Sequence, residues 1–264
     1  FNGTPFSGIG KAGNWSFTTK ATAPSGTNLV VDDNGPADFR SLQGALNFVM
    51  QTVAKATPAT ITVKNGNYEE LLYLRGKDNL TIQGESRDGV VIYYKNSEAI
   101  NSGSGASQTA GSPAGGRSVF LAETSDMLVL DNLTLRNTTL RSAAASQAEV
   151  IYFNNDAGRL VATNSNFFSE QDTLQLKGYN WFYNSLVAGN VDFIWGASHV
   201  ALFENSEIRS VGDTTNASSG GYVLQARVAN ATDKGFVFLN SKLTHGAGPG
   251  PLAGDVPNGA TYLA

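Results

Sequence analysis

The chain has 264 residues, 41% hydrophobic and 15% charged, with a net charge of −4, so it can bury a core, is not disordered, and offers no basic surface for nucleic acid or an anionic membrane. It has no cysteine, which excludes disulfides and thiolate catalysis, and only two histidines, His199 and His245, which are read as strand or surface residues rather than zinc ligands. No apolar run reaches the roughly 18 residues that a bilayer span requires.

The chain begins at Phe1 rather than Met, and it reads as a processed or excised piece. Residues 1–28 are rich in Gly, Ser, Thr and Ala, and "WSFTTK" is similar to the closing strand of an Ig-like module. They are expected to form a linker or the remnant of such a module, with one domain over 29–264. A helix is predicted over 38–54, where Leu42, Ala45, Leu46, Val49 and Val53 recur at helical spacing and Asp38 is the expected N-cap. Short strands follow at 59–63, 79–84, 90–94 and 118–122, with a polar low-complexity loop at 96–117.

From there a motif repeats. A short apolar stretch meets an Asn and a new strand begins within about two residues, at Asn132, Asn164, Asn184, Asn205 and Asn240. The intervals are 32, 20, 21 and 35 residues. Near-equal periods with longer ones beside them indicate a solenoid with loops inserted in some turns, and turns made of strand alone indicate a parallel β-helix. The Asn residues are expected to stack at one bend, and the helix to cap the N-terminal end. A β-sandwich is the competing fold, but its Asn-Gly hairpin signals are sparse.

The Asn residues serve as a ruler. Asp172 lies eight residues after Asn164, and Asp192 eight after Asn184. The two acids therefore share a place on successive coils, about 4.8 Å apart. Like charges so placed destabilise a sheet and split their titration, leaving one ionised and one protonated. That is the state a nucleophile and a general acid need. Asp213 has the same offset from Asn205 but sits in a turn-forming stretch and is read as a loop residue. Gln147, Gln171 and Gln225 fall near the pair, where an amide donor suits an oxyanion.

These stretches resemble the pectinesterase (pectin methylesterase) family from about residue 29 onward. The matching segments are "VVDDNGPADFRSLQGAL", "NGNYEE" with Gly66, Tyr68 and Glu70, "IQGES", "SQAEVIYF", "EQDTLQL" and "NVDFIWG". The last two, at their separation, are the most specific. The resemblance implies an all-β, right-handed parallel β-helix that hydrolyses galacturonate methyl esters in pectin, with no metal or other cofactor. It implies Asp192 as nucleophile, Asp172 as general acid and then base, Gln171 as oxyanion donor and Gln147 as its assistant. Ser118 and Phe120 fall where the family contacts substrate, and Tyr179, Trp181, Trp195, Tyr222 and Gln225 are further candidates for the sugar groove. It also implies a secreted, extracellular monomer with no nucleic-acid or membrane partner. The family's Arg-Pro-Trp block is expected after "GATYLA", where the sequence stops. The 264-residue piece is therefore expected to be weakly active or inactive, and its parent an esterase. Two alternatives stand beside this reading: a pectate lyase or polygalacturonase on the same fold, and a non-catalytic carbohydrate-binding or adhesin solenoid.

Overall fold

The structure, a computed structural model, describes residues 22–105, 116–141, 146–212, 214 and 221–247. The "WSFTTK" strand, the middle of the polar loop, Asp213 and "GATYLA" lie outside the described residues. The elements run β1 (Asn28–Val31), α1 (Leu42–Thr52), β2 (Ala59–Val63), β3 (Gly66–Glu69), β4 (Leu72–Arg75), β5 (Leu80–Gly84) and β6 (Val90–Tyr94). Then come β7 (Phe120–Glu123), β8 (Leu128–Asp131), β9 (Thr134–Asn137), β10 (Ile151–Asn154), β11 (Arg159–Thr163) and β12 (Asn166–Phe168). The last are β13 (Leu174–Tyr183), β14 (Leu186–Gly189), β15 (Ile194–Glu204), β16 (Glu207–Val211), β17 (Leu224–Ala226), β18 (Gly235–Leu239) and β19 (Lys242–Gly246).

Every strand pairing is parallel, and successive coils stack on one another. This is the parallel β-helix expected from the Asn intervals. Three faces form. The first holds β1, β2, β5, β8, β11 and β18 with the second halves of β13 and β15. The second holds β4, β7, β10 and β17 with the first halves of β13 and β15. The third holds β3, β6, β9, β12, β14, β16 and β19. β13 bends between faces at Gly178, whose φ is +70° and where a Cβ would lie 2.3 Å from the Asn155 carbonyl oxygen. β15 bends beside it, with His199 as the extra residue in the register.

The recurring Asn marks the bend from the first face to the third. Asn132, Asn164, Asn184, Asn205 and Asn240 all have φ between 47° and 59°, a left-handed conformation that Asn tolerates better than most residues. Asn184 Nδ2 donates to Asn164 Oδ1 at 2.8 Å, the expected stacking for this pair, whereas the Asn164 amide donates to Asp131 and the Asn132 amide to the Gly84 and Glu85 carbonyls. The next residue matters equally. Ser165, Ser185 and Ser206 each donate their backbone N–H to the Oγ of the following coil's serine, at 3.3, 3.1 and 3.1 Å. These buried N–H groups would otherwise be orphaned where the sheet is interrupted. Inside, Phe182, Phe203 and Phe238 stack with centroids 4.8 and 5.1 Å apart, so each coil buries its apolar face on the next.

Helix α1 covers the N-terminal end, with Leu42, Ala45, Leu46 and Val49 buried. Its N-cap is Ser41, whose Oγ accepts from Gly44 N–H, and not the expected Asp38. Asp38 instead accepts from Val30 N–H at 2.9 Å, tying the approach segment to β1. Glu70 accepts from both Leu42 and Gln43 N–H at 2.8 Å, a carboxylate satisfying two free donors at a helix start. Tyr68 Oη donates to the Lys64 carbonyl. The "NGNYEE" motif is thus architectural, joining the cap to the first coils.

Candidate active site

Each coil returns from the third face to the second through a short turn, and both aspartates sit in such turns. Gln171 bridges in parallel to Val191, and Asp172 N–H donates to the Val191 carbonyl at 3.0 Å. With Leu174 beside Ile194, the register sets Asp172 next to Asp192, one rung away. Both have left-handed backbones, φ 62° and 48°, which a short carboxylate side chain tolerates better than most.

The two acids differ in environment. Asp172 is 6% exposed, whereas Asp192 is half-buried. Asp192 lines a cleft of about 470 Å³ with Val191, Tyr222, Leu224, Gln225 and Ala226. Burial, then the Glu149 carboxylate, push the Asp172 carboxyl up to about 8; Arg117 and Arg227 oppose this, and Asp192 adds to it. Burial also raises Asp192, against Arg227 and Arg141. The split expected from proximity therefore has a different main origin. Desolvation comes first, and the charge of Asp192 is a smaller contribution.

Gln225 Nε2 donates to Asp192 Oδ2 at 3.0 Å, and Gln225 Oε1 accepts from Arg227 Nε at 2.8 Å. Gln225 therefore orients Asp192 and links it to a guanidinium. Gln171 is half-buried at the turn. Gln147 is half-buried, and its Oε1 is buried with no hydrogen-bond partner among the described residues. Trp195 stands next to Gln175 and Gln225 on the second face. The Arg227 and Arg117 guanidiniums lie over its ring at 4.7 and 5.9 Å. Tyr222 is 54% exposed at the cleft. Ser118 is buried and in register with Glu149, and it borders a separate cavity of about 400 Å³ with Tyr73 and Leu121.

Three expected substrate contacts are not in the site. Phe120 is 0% exposed and belongs to the core; the strand alternates, so its neighbour Leu121 is the residue that borders the cavity. Tyr179 and Trp181 lie past the Gly178 bend, paired with β11 on the first face. There Tyr179 packs on His199, and Trp181 Nε1 donates to Glu204.

The sequence reading missed Glu149, Arg117 and Arg227. Glu149 precedes Ile151 by two residues, as Asp172 precedes Leu174, and those strands are in register. The Asn ruler fails there, because the connection after Asn132 is longer. Counting back from the start of the following strand would have found it.

Comparison with known proteins comes to the same fold and to one family. The pectinesterase family model matches residues 28–258. Pectinesterase A of Dickeya chrysanthemi is 29% identical over 242 residues, covering 85% of this chain and 63% of that protein. A pectin methylesterase from Erwinia chrysanthemi is 26% identical with a TM-score of 0.66, over 84% of this chain and 67% of its own. A pectin methylesterase mutant in complex with a hexasaccharide is 25% identical with a TM-score of 0.69, with the same coverage of 84% and 67%.

Proposed function

The chain belongs to the pectinesterase family, and from that premise we propose that it hydrolyses the methyl esters of galacturonate in pectin by a two-carboxylate mechanism. One observation carries the reading: Asp172 and Asp192 stand one rung apart, Asp172 buried and Asp192 half-exposed and lining an open cleft. The half-exposed Asp192, held by Gln225 and drawn toward ionisation by Arg227, is the nucleophile. Its carboxylate oxygen attacks the ester carbonyl carbon, and the carbonyl oxygen becomes an oxyanion. Gln171 and Gln147 donate to that oxyanion. The buried Asp172 holds its proton near neutrality and gives it to the departing methoxide as the C–O bond breaks, so methanol leaves. A mixed anhydride remains between Asp192 and the sugar carboxyl. Asp172, now ionised, takes a proton from water. The resulting hydroxide attacks the sugar carbonyl, releases the galacturonic acid carboxyl, which then gives its proton to solvent, and returns Asp192 as a carboxylate, while the proton taken from water stays on Asp172.

Tyr222, exposed at the cleft, supplies a face for the sugar chain beside this pair; Trp195, expected to do the same, is buried with Arg227 and Arg117 over its ring and instead backs the site. The pectin methylesterase crystallised with a hexasaccharide supports a polymeric substrate. The substrate lies in plant cell walls, and the protein acts there as a secreted monomer. No helix among the described residues is long and apolar enough to cross a membrane.

The test is product analysis on highly methylated pectin at pH 7. Methanol above the level given by the Asp192→Asn variant, with no new reducing ends or unsaturated products, supports an esterase. Chain cleavage without methanol overturns it.

A further inference from the structure

Glu149 has no part in the steps above, yet it is the third acid in the row that contains Asp172 and Asp192. It is fully buried on the rung next to Asp172. Both its oxygens accept from Arg117 Nε at 2.9 Å. Arg117 Nη1 donates to Glu98 Oε2 at 3.0 Å. Arg117 Nη2 stands 3.6 Å from Asp172 Oδ2, a charge contact outside good hydrogen-bond range. One guanidinium thus faces three carboxylates, and two of them take its hydrogen bonds. The arrangement is fixed by backbone: Glu98 N–H donates to the Gln147 carbonyl and Arg117 N–H to the Gly103 carbonyl.

We propose that Glu149 is a positioning residue that occupies Arg117 and so keeps Asp172 protonated as the general acid. This rests on the esterase reading of Asp172. An arginine beside a buried carboxyl ordinarily ionises it, and an ionised Asp172 has no proton for methoxide. Glu149 prevents this twice, by holding the guanidinium through its Nε and by adding a negative charge next to Asp172. The other charged groups that face this cluster are Glu98 from the loop before β7, Asp192 from the turn before β15, and Arg227 after β17. The Tyr152 phenol lies nearby on β10, pushed up to about 12 by burial. Glu149 is itself pushed up to about 7 by burial, against Arg117, so the cluster as a whole retains a proton near neutrality.

The experiment compares wild type, Glu149→Gln and the double variant Glu149→Gln/Arg117→Met. The alkaline limb of kcat/KM for methanol release is followed, together with the ¹³C titration of the Asp172 carboxyl, which needs no turnover. Glu149→Gln is expected to move both down by at least about one pH unit, because a raising charge is lost and Arg117 is freed. Adding Arg117→Met is expected to move them back up. A titration and limb that stay within about 0.2 units in Glu149→Gln would overturn the proposal. If Glu149→Gln does not fold by circular dichroism, Arg117→Gln gives the converse shift, upward, and an unmoved Asp172 titration there overturns it equally. Asp172→Asn separates the two claims. Unchanged methanol release in that variant removes the esterase role of Asp172, whereas its loss beside an unmoved Asp172 titration in Glu149→Gln removes only the role of Glu149.

Discussion

Asp172→Asn should stabilise the fold, and by an amount that depends on pH. In the native chain the Asp172 carboxyl is raised from 3.8 to about 8, chiefly by burial. The unfolded chain ionises it near the ordinary value. Between those limits unfolding releases a proton, so the native state loses stability relative to a neutral side chain as pH rises. Each pH unit corresponds to about 1.4 kcal/mol, so the gap between pH 4 and pH 7 reaches ~4 kcal/mol at most. Asn suits the site, since the backbone φ of 62° is one that Asn adopts readily. Glu149 and Asp192 contribute slopes of their own, but they remain in both proteins and largely cancel in the difference. Equilibrium urea unfolding at pH 4, 5.5 and 7 provides the assay. The variant should match wild type at pH 4 and exceed it by several kcal/mol at pH 7. Parallel stability curves would refute a buried, proton-holding Asp172.

Three further outcomes are expected. Asn184→Ala should cost about 1–2 kcal/mol in urea unfolding, through the left-handed φ of 47° and the lost bond to Asn164; Asn184→Gly should cost less, because only the bond is lost, and equal costs would argue against the backbone contribution. Gly196→Ala should destabilise the site-bearing β15, because φ is +130° and the new Cβ would lie 2.1 Å from the Leu176 carbonyl oxygen; a variant with wild-type thermal stability would show that this corner is loosely held. Gln225→Ala removes the donor on Asp192 and should lower kcat about 10-fold or more with little change in KM, whereas a rise in KM alone would assign Gln225 to substrate binding.

Much of this architecture was legible because one residue type does one job on every coil. The Asn bends recur since few other side chains accept a left-handed backbone, and that made Asn164 and Asn184 a usable ruler for Asp172 and Asp192. Where the connection lengthened, after Asn132, the ruler lost count and Glu149 went unseen. Phe120, placed near substrate only by the family resemblance, lies in the core, because a one-residue offset in a strand exchanges core for surface. Tyr179 and Trp181 read as site candidates because nothing in "LQLKGYNWFY" apart from its single glycine marks the corner between two faces. The N-cap lies three residues later than expected, at Ser41, because Asp38 is engaged by β1, a contact between segments that local capping patterns do not contain. Arg117 and Arg227 reach the acids only through stacking of coils distant in sequence.

The most direct test of a two-carboxylate esterase is methanol release from methylated pectin at pH 7 by wild type and by Asp192→Asn, both checked for matching circular dichroism. The neutral amide has no anion to attack the ester, so a loss on the order of 10³-fold or greater is expected. An Asp192→Asn protein that releases methanol at the wild-type rate would contradict the assignment of the nucleophile.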